Sequence, residues 1–189
     1  SSDVCSSDLI LWVVERTDEA GDYRQLTHGR IKHGSQYAKE PLRSQPTSYF
    51  GPRGGVGVVM EALQKEKQSI SLGVIGLGAG TMAAWGRPGD TTHFYEINPD
   101  DEAVARKWFT YLSGSKAKVD VALGDARIVL EREIAEGHKN DFDIFVVDAF
   151  SSDAIPVHLL TKECADLYKQ RLKPGGLLMM HISNRSLNL

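Results

Sequence analysis

From Ser71 onward, short apolar runs alternate with longer amphipathic stretches. The runs predict strands over residues 72–75, 92–95, 119–122, 144–147 and 177–181. The stretches between them predict helices over 79–85, 99–112, 126–136 and 157–172. Asn98 reads as a cap with Pro99 at the first helical position, where its missing N–H costs nothing. Lys173-Pro174-Gly175-Gly176 reads as the stop of the last helix. Strands that are apolar almost throughout, each followed by a helix, imply a parallel sheet covered on both faces. Upstream the pattern is different. Leu11-Trp12-Val13-Val14 is apolar and β-branched, Glu19-Ala20-Gly21-Asp22 is a turn, and residues 23–27 and 30–36 return as further strands. Pro41, Pro46, Gly51 and Pro52 mark residues 39–52 as a loop, and Val56, Val59, Met60 and Leu63 then recur at helical spacing. Cys164, Trp108 and Tyr111 fall on expected core faces of their helices.

This pattern divides the chain into three parts. Residues 1–9 nearly repeat a Ser-Ser-Asp unit and read as a non-native artefact, set aside from the fold. Residues 10–52 form an N-terminal β-meander and linker. Residues 53–189 form a Rossmann-like domain of α/β class, with a mainly parallel sheet. Five strands fit before Leu189, so a seven-stranded fold of this kind is expected to be truncated at its C-terminus.

The bulk properties narrow the functional classes. The 189 residues carry 41% hydrophobic and 25% charged residues and a formal net charge of −3. Without a basic field, nucleic acid is not an expected partner. No apolar stretch approaches membrane-spanning length. Cys5 and Cys164 give neither a disulfide framework nor metal-ligand spacing, so a reducing, cytoplasmic setting and no metal are expected.

The chemistry-bearing signal is Val74-Ile75-Gly76-Leu77-Gly78-Ala79-Gly80. A strand runs into a turn with glycines at alternate positions, which lets backbone approach a ligand closely. Dinucleotide sites favour Gly-x-Gly-x-x-Gly; the Gly-x-Gly-x-Gly found here is commoner where the ligand carries no pyrophosphate. Glu96 lies twenty residues beyond Gly76, placed to accept hydrogen bonds from ribose hydroxyls. Ligands of such sheets sit beyond the carboxyl ends of the strands. There the third strand offers Gly124-Asp125-Ala126, the fourth Asp148 and then Asp153, and the fifth His181, Ser183 and Asn184. Crowded carboxylates need cations or donors to meet them, so a cationic ligand suits this rim. Each residue also has a plainer role: Glu96 as a solvated strand end, Asp125 as a helix cap, Asp148 and Asp153 as turn residues.

Taken together, Leu26-Thr27-His28-Gly29, His33-Gly34-Ser35-Gln36, the glycine turn, Tyr95-Glu96-Ile97, Gly124-Asp125-Ala126 and Val147-Asp148 with Ser151-Ser152-Asp153 resemble the spermidine synthase family of polyamine aminopropyltransferases. The likeness is nearest to bacterial spermidine-synthase-like domains, some fused to membrane-spanning segments. The resemblance implies decarboxylated S-adenosylmethionine as co-substrate, a small diamine such as putrescine as acceptor, and a homodimer as a common assembly. It implies that Gly76, Gly78, Gly80, Glu96, Asp125, Ala126 and Gln36 hold the S-adenosyl ligand, with Glu96 on the ribose and Asp125 on the adenine. Asp148 matches the acid that takes the proton from the attacking amine, and Asp153, Tyr49 and His33 match the substrate pocket. Two departures stand out. Ala149 and Phe150 lengthen the loop between the two acids beyond the family's Asp-Ser-x-Asp-Pro pattern. Ser48-Tyr49-Phe50-Gly51-Pro52 keeps a tyrosine without the acidic neighbour usual there. Aminopropyl transfer giving spermidine is therefore the expected function. A methyltransferase using intact S-adenosylmethionine and a non-catalytic polyamine-sensing domain stay open.

Overall fold

The computed structural model describes residues 11–29, 31–139, 141–149 and 155–181. Asp153, Ser183 and Asn184 lie outside the described residues. Two sheets carry the fold. The first is an antiparallel meander of β1 (Leu11–Asp18), β2 (Gly21–His28) and β3 (Ile31–Tyr37). Its first turn is tied by the Asp18 carboxylate, which accepts from the N–H groups of Ala20 and Gly21 at 2.9 and 3.2 Å. The pairing of β2 with β3 shifts register between Leu26 and Thr27. Opposite that irregularity stands Gly34 at φ +142°, where an added Cβ would lie 2.6 Å from the Cβ of Ala79. The meander thus presses its third strand against the glycine turn of the second sheet.

The second sheet holds β4 (Ser71–Ile75), β5 (Thr91–Glu96), β6 (Lys118–Leu123), β7 (Phe142–Val147) and β8 (Leu172–Met180), all parallel, in the order β6-β5-β4-β7-β8. The fold is α/β and Rossmann-like. Its strand alternation sorts side chains into two cores. Val74, Phe94, Ile144 and Val146 face one side with Met60 of α1 (Gly55–Glu66) and Ala105 of α2 (Pro99–Trp108). Ile75, Tyr95, Phe145 and Val147 face the other with Val129 and Leu130 of α4 (Ala126–Ala135) and Cys164 and Tyr168 of α5 (Lys162–Arg171). A period of two with both faces apolar is what a sheet buried on both sides requires.

Three predicted helices differ from the structure. Residues 79–85 do not form an α-helix: a single 3-10 segment, Thr81–Trp85, fills the space between Gly80 and Gly86. Five residues bounded by glycines are too few to repay the nucleation of an α-helix. The helix expected over 99–112 is broken into α2 and α3 (Tyr111–Gly114). The break falls at Thr110, whose N–H donates to Gln36 Oε1 at 2.9 Å while its hydroxyl accepts from Gln36 Nε2 at 2.9 Å. A tertiary partner here outbids the intrahelical one. The helix expected over 157–172 is a 3-10 turn, Val157–Leu159, followed by α5, capped by the Thr161 hydroxyl at 3.3 Å from the Cys164 N–H. Trp108 is 40% exposed rather than in the core, with the Arg24 guanidinium 5.7 Å from its ring centre, whereas Tyr111 is buried as expected. No described helix is long and apolar enough to cross a membrane.

Candidate active site

The carboxyl ends of β6, β5, β4 and β7 form one contiguous rim, joined by backbone hydrogen bonds from strand to strand. Gly124 N–H donates to Glu96 O at 2.8 Å, Gly76 N–H to Tyr95 O at 2.9 Å, and Asp148 N–H to Ile75 O at 2.9 Å. Asp125, Glu96, the glycine turn and Asp148 therefore follow one another along a single edge.

The three glycines all have positive φ: +95° at Gly76, +51° at Gly78 and +80° at Gly80. Their lack of a Cβ is used inside the protein. A Cβ on Gly76 would lie 2.5 Å from Asp148 O, and one on Gly78 would lie 2.2 Å from His33 O. Gly76 lets the ends of β4 and β7 meet. Gly78 lets β3 of the meander cover the turn, where His33 O also accepts from the Ala79 N–H at 3.1 Å.

Glu96 is not a solvated strand end; it is 6% exposed. Its Oε2 accepts from the Leu77 N–H at 2.9 Å and its Oε1 from the Asn98 N–H at 2.8 Å. Burial raises its pKa, against the opposing pull of the Asn98, Leu77 and Ile97 amides. The carboxylate thus clamps the glycine turn to the end of β5 and keeps free lone pairs for hydroxyl donors. Next to it stands Asp101, which sequence reasoning missed. Burial and the Glu96 charge push its carboxyl up to about 7, while His28 pulls it back.

Asp125 is the N-cap of α4, accepting from the Ile128 N–H at 3.2 Å. Its second oxygen lies 3.0 Å from His158 Nε2, a partner contributed by the 3-10 turn Val157–Leu159. Ala126 opens α4 behind it. No motif in the sequence flagged His158; its one signal is a polar side chain inside Ile155-Pro156-Val157-His158-Leu159-Leu160.

Asp148 follows directly on β7, under the Tyr49 hydroxyl, which donates to its two oxygens at 3.0 and 3.3 Å. Burial raises the Asp148 carboxyl to about 7, and the Tyr49 hydrogen bond works against that rise. The Tyr49 ring stacks on the His181 ring, with centres 3.9 Å apart and planes 11° from parallel. Burial and the neighbouring Asp148 charge raise the Tyr49 pKa, so the phenol stays a donor. A carboxylate that gains and loses its proton near neutrality, held by a neutral phenol, is suited to general base work.

Gln36 and His33 sit differently from the acids. Gln36 is buried and uses its amide on Arg43 O and on Thr110, tying β3 to the α2–α3 junction. His33 lies beside His28, ring centres 5.9 Å apart, with its Nε2 buried and without a hydrogen-bond partner. Burial, then His28, lowers its pKa. Two cavities, of about 290 and 700 Å³, lie away from the acids: one against the meander and the 42–48 segment, the other between that segment, Trp85 and α3.

Residues 56–182 match the family described as O-methyltransferase. A polyamine aminopropyltransferase from Vibrio vulnificus (strain CMCP6) is 32% identical over 116 residues, covering 60% of this chain and 38% of that protein. The chain thus spans about two fifths of its curated relative's length. A crystal structure of spermidine synthase from Thermotoga maritima aligns with a TM-score of 0.47 at 15% identity, over 85% of this chain and 54% of that one. The match over most of the chain, on a sheet with this strand order, places the protein in the O-methyltransferase family, with a sequence likeness to polyamine aminopropyltransferases.

Proposed function

We propose that this chain carries the catalytic rim of an aminopropyltransferase that joins the aminopropyl group of decarboxylated S-adenosylmethionine to a small diamine such as putrescine. The observation that carries the reading is Asp148, a carboxyl poised at about 7 under the Tyr49 hydroxyl, on the same edge as Glu96 and Asp125. The name of the Vibrio vulnificus relative supports it.

The residues fit a cationic adenosine-containing ligand. Glu96 offers lone pairs beside the turn, Asp125 offers an acceptor two residues past β6, and the buried acids of the rim are raised in pKa, as carboxyls awaiting a cation are. When bound, that ligand supplies a carbon made electrophilic by sulfonium and a neutral thioether leaving group. The chain's own work is proton removal and alignment. An alkylammonium has no lone pair. Asp148, ionised, accepts its proton as the new carbon–nitrogen bond forms, and Tyr49 holds the carboxylate in place throughout. Asp153 belongs to the same proposal as a second acid for the diamine, and Gln36 and His33 as residues of the pocket wall.

Methyl transfer from intact S-adenosylmethionine is the second reading, favoured by the O-methyltransferase match. Supplying the protein with putrescine and decarboxylated S-adenosylmethionine tests the first. Release of methylthioadenosine that disappears in Asp148→Asn supports aminopropyl transfer. Its absence, with tighter calorimetric binding of the intact cofactor than of the decarboxylated one, selects methyl transfer.

A further inference from the structure

We infer that His158 is a positioning residue that makes this rim selective for a 6-aminopurine. The inference rests on the S-adenosyl-ligand reading above and deepens it. Asp125 is held at both oxygens, by the Ile128 N–H at 3.2 Å and by His158 Nε2 at 3.0 Å. A carboxylate only accepts, so Nε2 is the nitrogen that carries the proton. The two donors come from different elements, α4 and the turn Val157–Leu159, and together they stop the carboxylate from rotating. The capping bond alone leaves that rotation free, because it grips one oxygen.

The surroundings suit a flat, partly apolar base. Leu123 and Ile128 flank Asp125 in sequence, Val157 precedes His158, Ile97 follows Glu96, and all four are exposed. A fixed acceptor on such an edge distinguishes purines by their six-position. An amino group donates to it. An oxo group presents lone pairs to a carboxylate that has no proton to offer, and the pair repels. His158 itself need not touch the base. It acts by keeping the Asp125 carboxylate fixed in direction and in plane, as outer partners do for metal-binding carboxylates.

Calorimetric titration of the 189-residue chain with 5′-methylthioadenosine and 5′-methylthioinosine tests this, on wild type, His158→Ala and His158→Gln. Wild type is expected to prefer the amino form, and His158→Ala to lose about tenfold of that preference. His158→Gln is expected to restore most of it, since its amide nitrogen reaches the place of Nε2. A preference unchanged in His158→Ala overturns the inference. So does an equal loss for both nucleosides accompanied by a lowered melting temperature, which marks a merely structural contact. Wild type that binds neither nucleoside overturns the S-adenosyl-ligand reading and this inference with it.

Discussion

The Tyr49 hydroxyl donates to Asp148 at 3.0 Å across a sequence separation of 99 residues. The bond links the loop after the meander to the end of β7, and it decides how the rim responds to pH. Its effect opposes that of burial, which has already carried Asp148 to about 7. Tyr49→Phe removes the opposing influence. The Asp148 carboxyl should then titrate above 7, and the rising limb of kcat/KM should move to higher pH. Carboxyl NMR titration of Asp148 checks the shift independently of turnover.

Asp148→Asn should cut kcat by about 10²- to 10⁴-fold, the usual contribution of a positioned base. Its stability effect has the opposite sign. The folded pKa lies above the ordinary aspartate value of 3.8, so the fold disfavours the ionised form. Stability from this group is greatest below 3.8 and is lost as pH rises through 7. Asp148→Asn should therefore unfold at a higher temperature than wild type at pH 8, by about 1 kcal/mol of stability given the solvent that still reaches the carboxyl, with little difference at pH 4. Paired thermal melts at the two pH values measure this.

Glu96→Ala should leave the Leu77 and Asn98 amides without their acceptor. Each stranded donor costs about 1–3 kcal/mol. Glu96→Gln keeps one acceptor oxygen and should lose less. Urea titration separates the two variants, and nucleoside binding should weaken in both.

Gly78→Ala should be among the most damaging single substitutions in the turn. Gly78 holds φ +51°, and the new Cβ would meet His33 O at 2.2 Å. Left-handed strain adds to backbone displacement, for a loss of about 2–4 kcal/mol. Gly137→Ala is the control: φ is +97°, but nothing lies within 4 Å of the added carbon. It should cost about 1–2 kcal/mol, the strain alone. Chemical denaturation curves compare them.

A second set of charges lies behind the sheet. Arg171, 4% exposed, pairs with Glu133 and with Asp141, and Tyr95 donates to Glu133 at 2.8 Å. Burial raises the Glu133 carboxyl, but His93 at 3.3 Å, the hydrogen bond from Tyr95 and the Arg171 charge outweigh it and hold the group at about 2. The folded pKa lies below the ordinary glutamate value of 4.5, so this stabilisation is complete above 4.5 and fades as pH falls towards 2. Arg171→Met should destabilise by about 3–5 kcal/mol at pH 7. The deficit should shrink in acid, and melting temperatures followed from pH 7 to pH 2.5 test it.

The parts of the site readable in the chain are those whose signal is local. Gly76, Gly78 and Gly80 announce a turn because φ above zero excludes most other residues, and Asp125 and Asp148 follow apolar runs that end where the sheet ends. Alternation of Val74 with Ile75 and of Phe94 with Tyr95 fixes which side chains face each core. Position along a strand and handedness of a turn depend on a few neighbouring residues, so the amino-acid order alone settles them. Partnerships are another matter. Tyr49 with Asp148, His158 with Asp125 and Gln36 with Thr110 join positions 99, 33 and 74 residues apart. Each is chosen when packed elements bring a donor and an acceptor within hydrogen-bond reach, so that neither is left without a partner. That contest broke the helix expected over 99–112, turned Glu96 from a strand end into a clamp, and gave Asp125 the imidazole that no periodicity announces. Only the assembled fold brings those groups within reach of one another, and so only the assembled fold decides them.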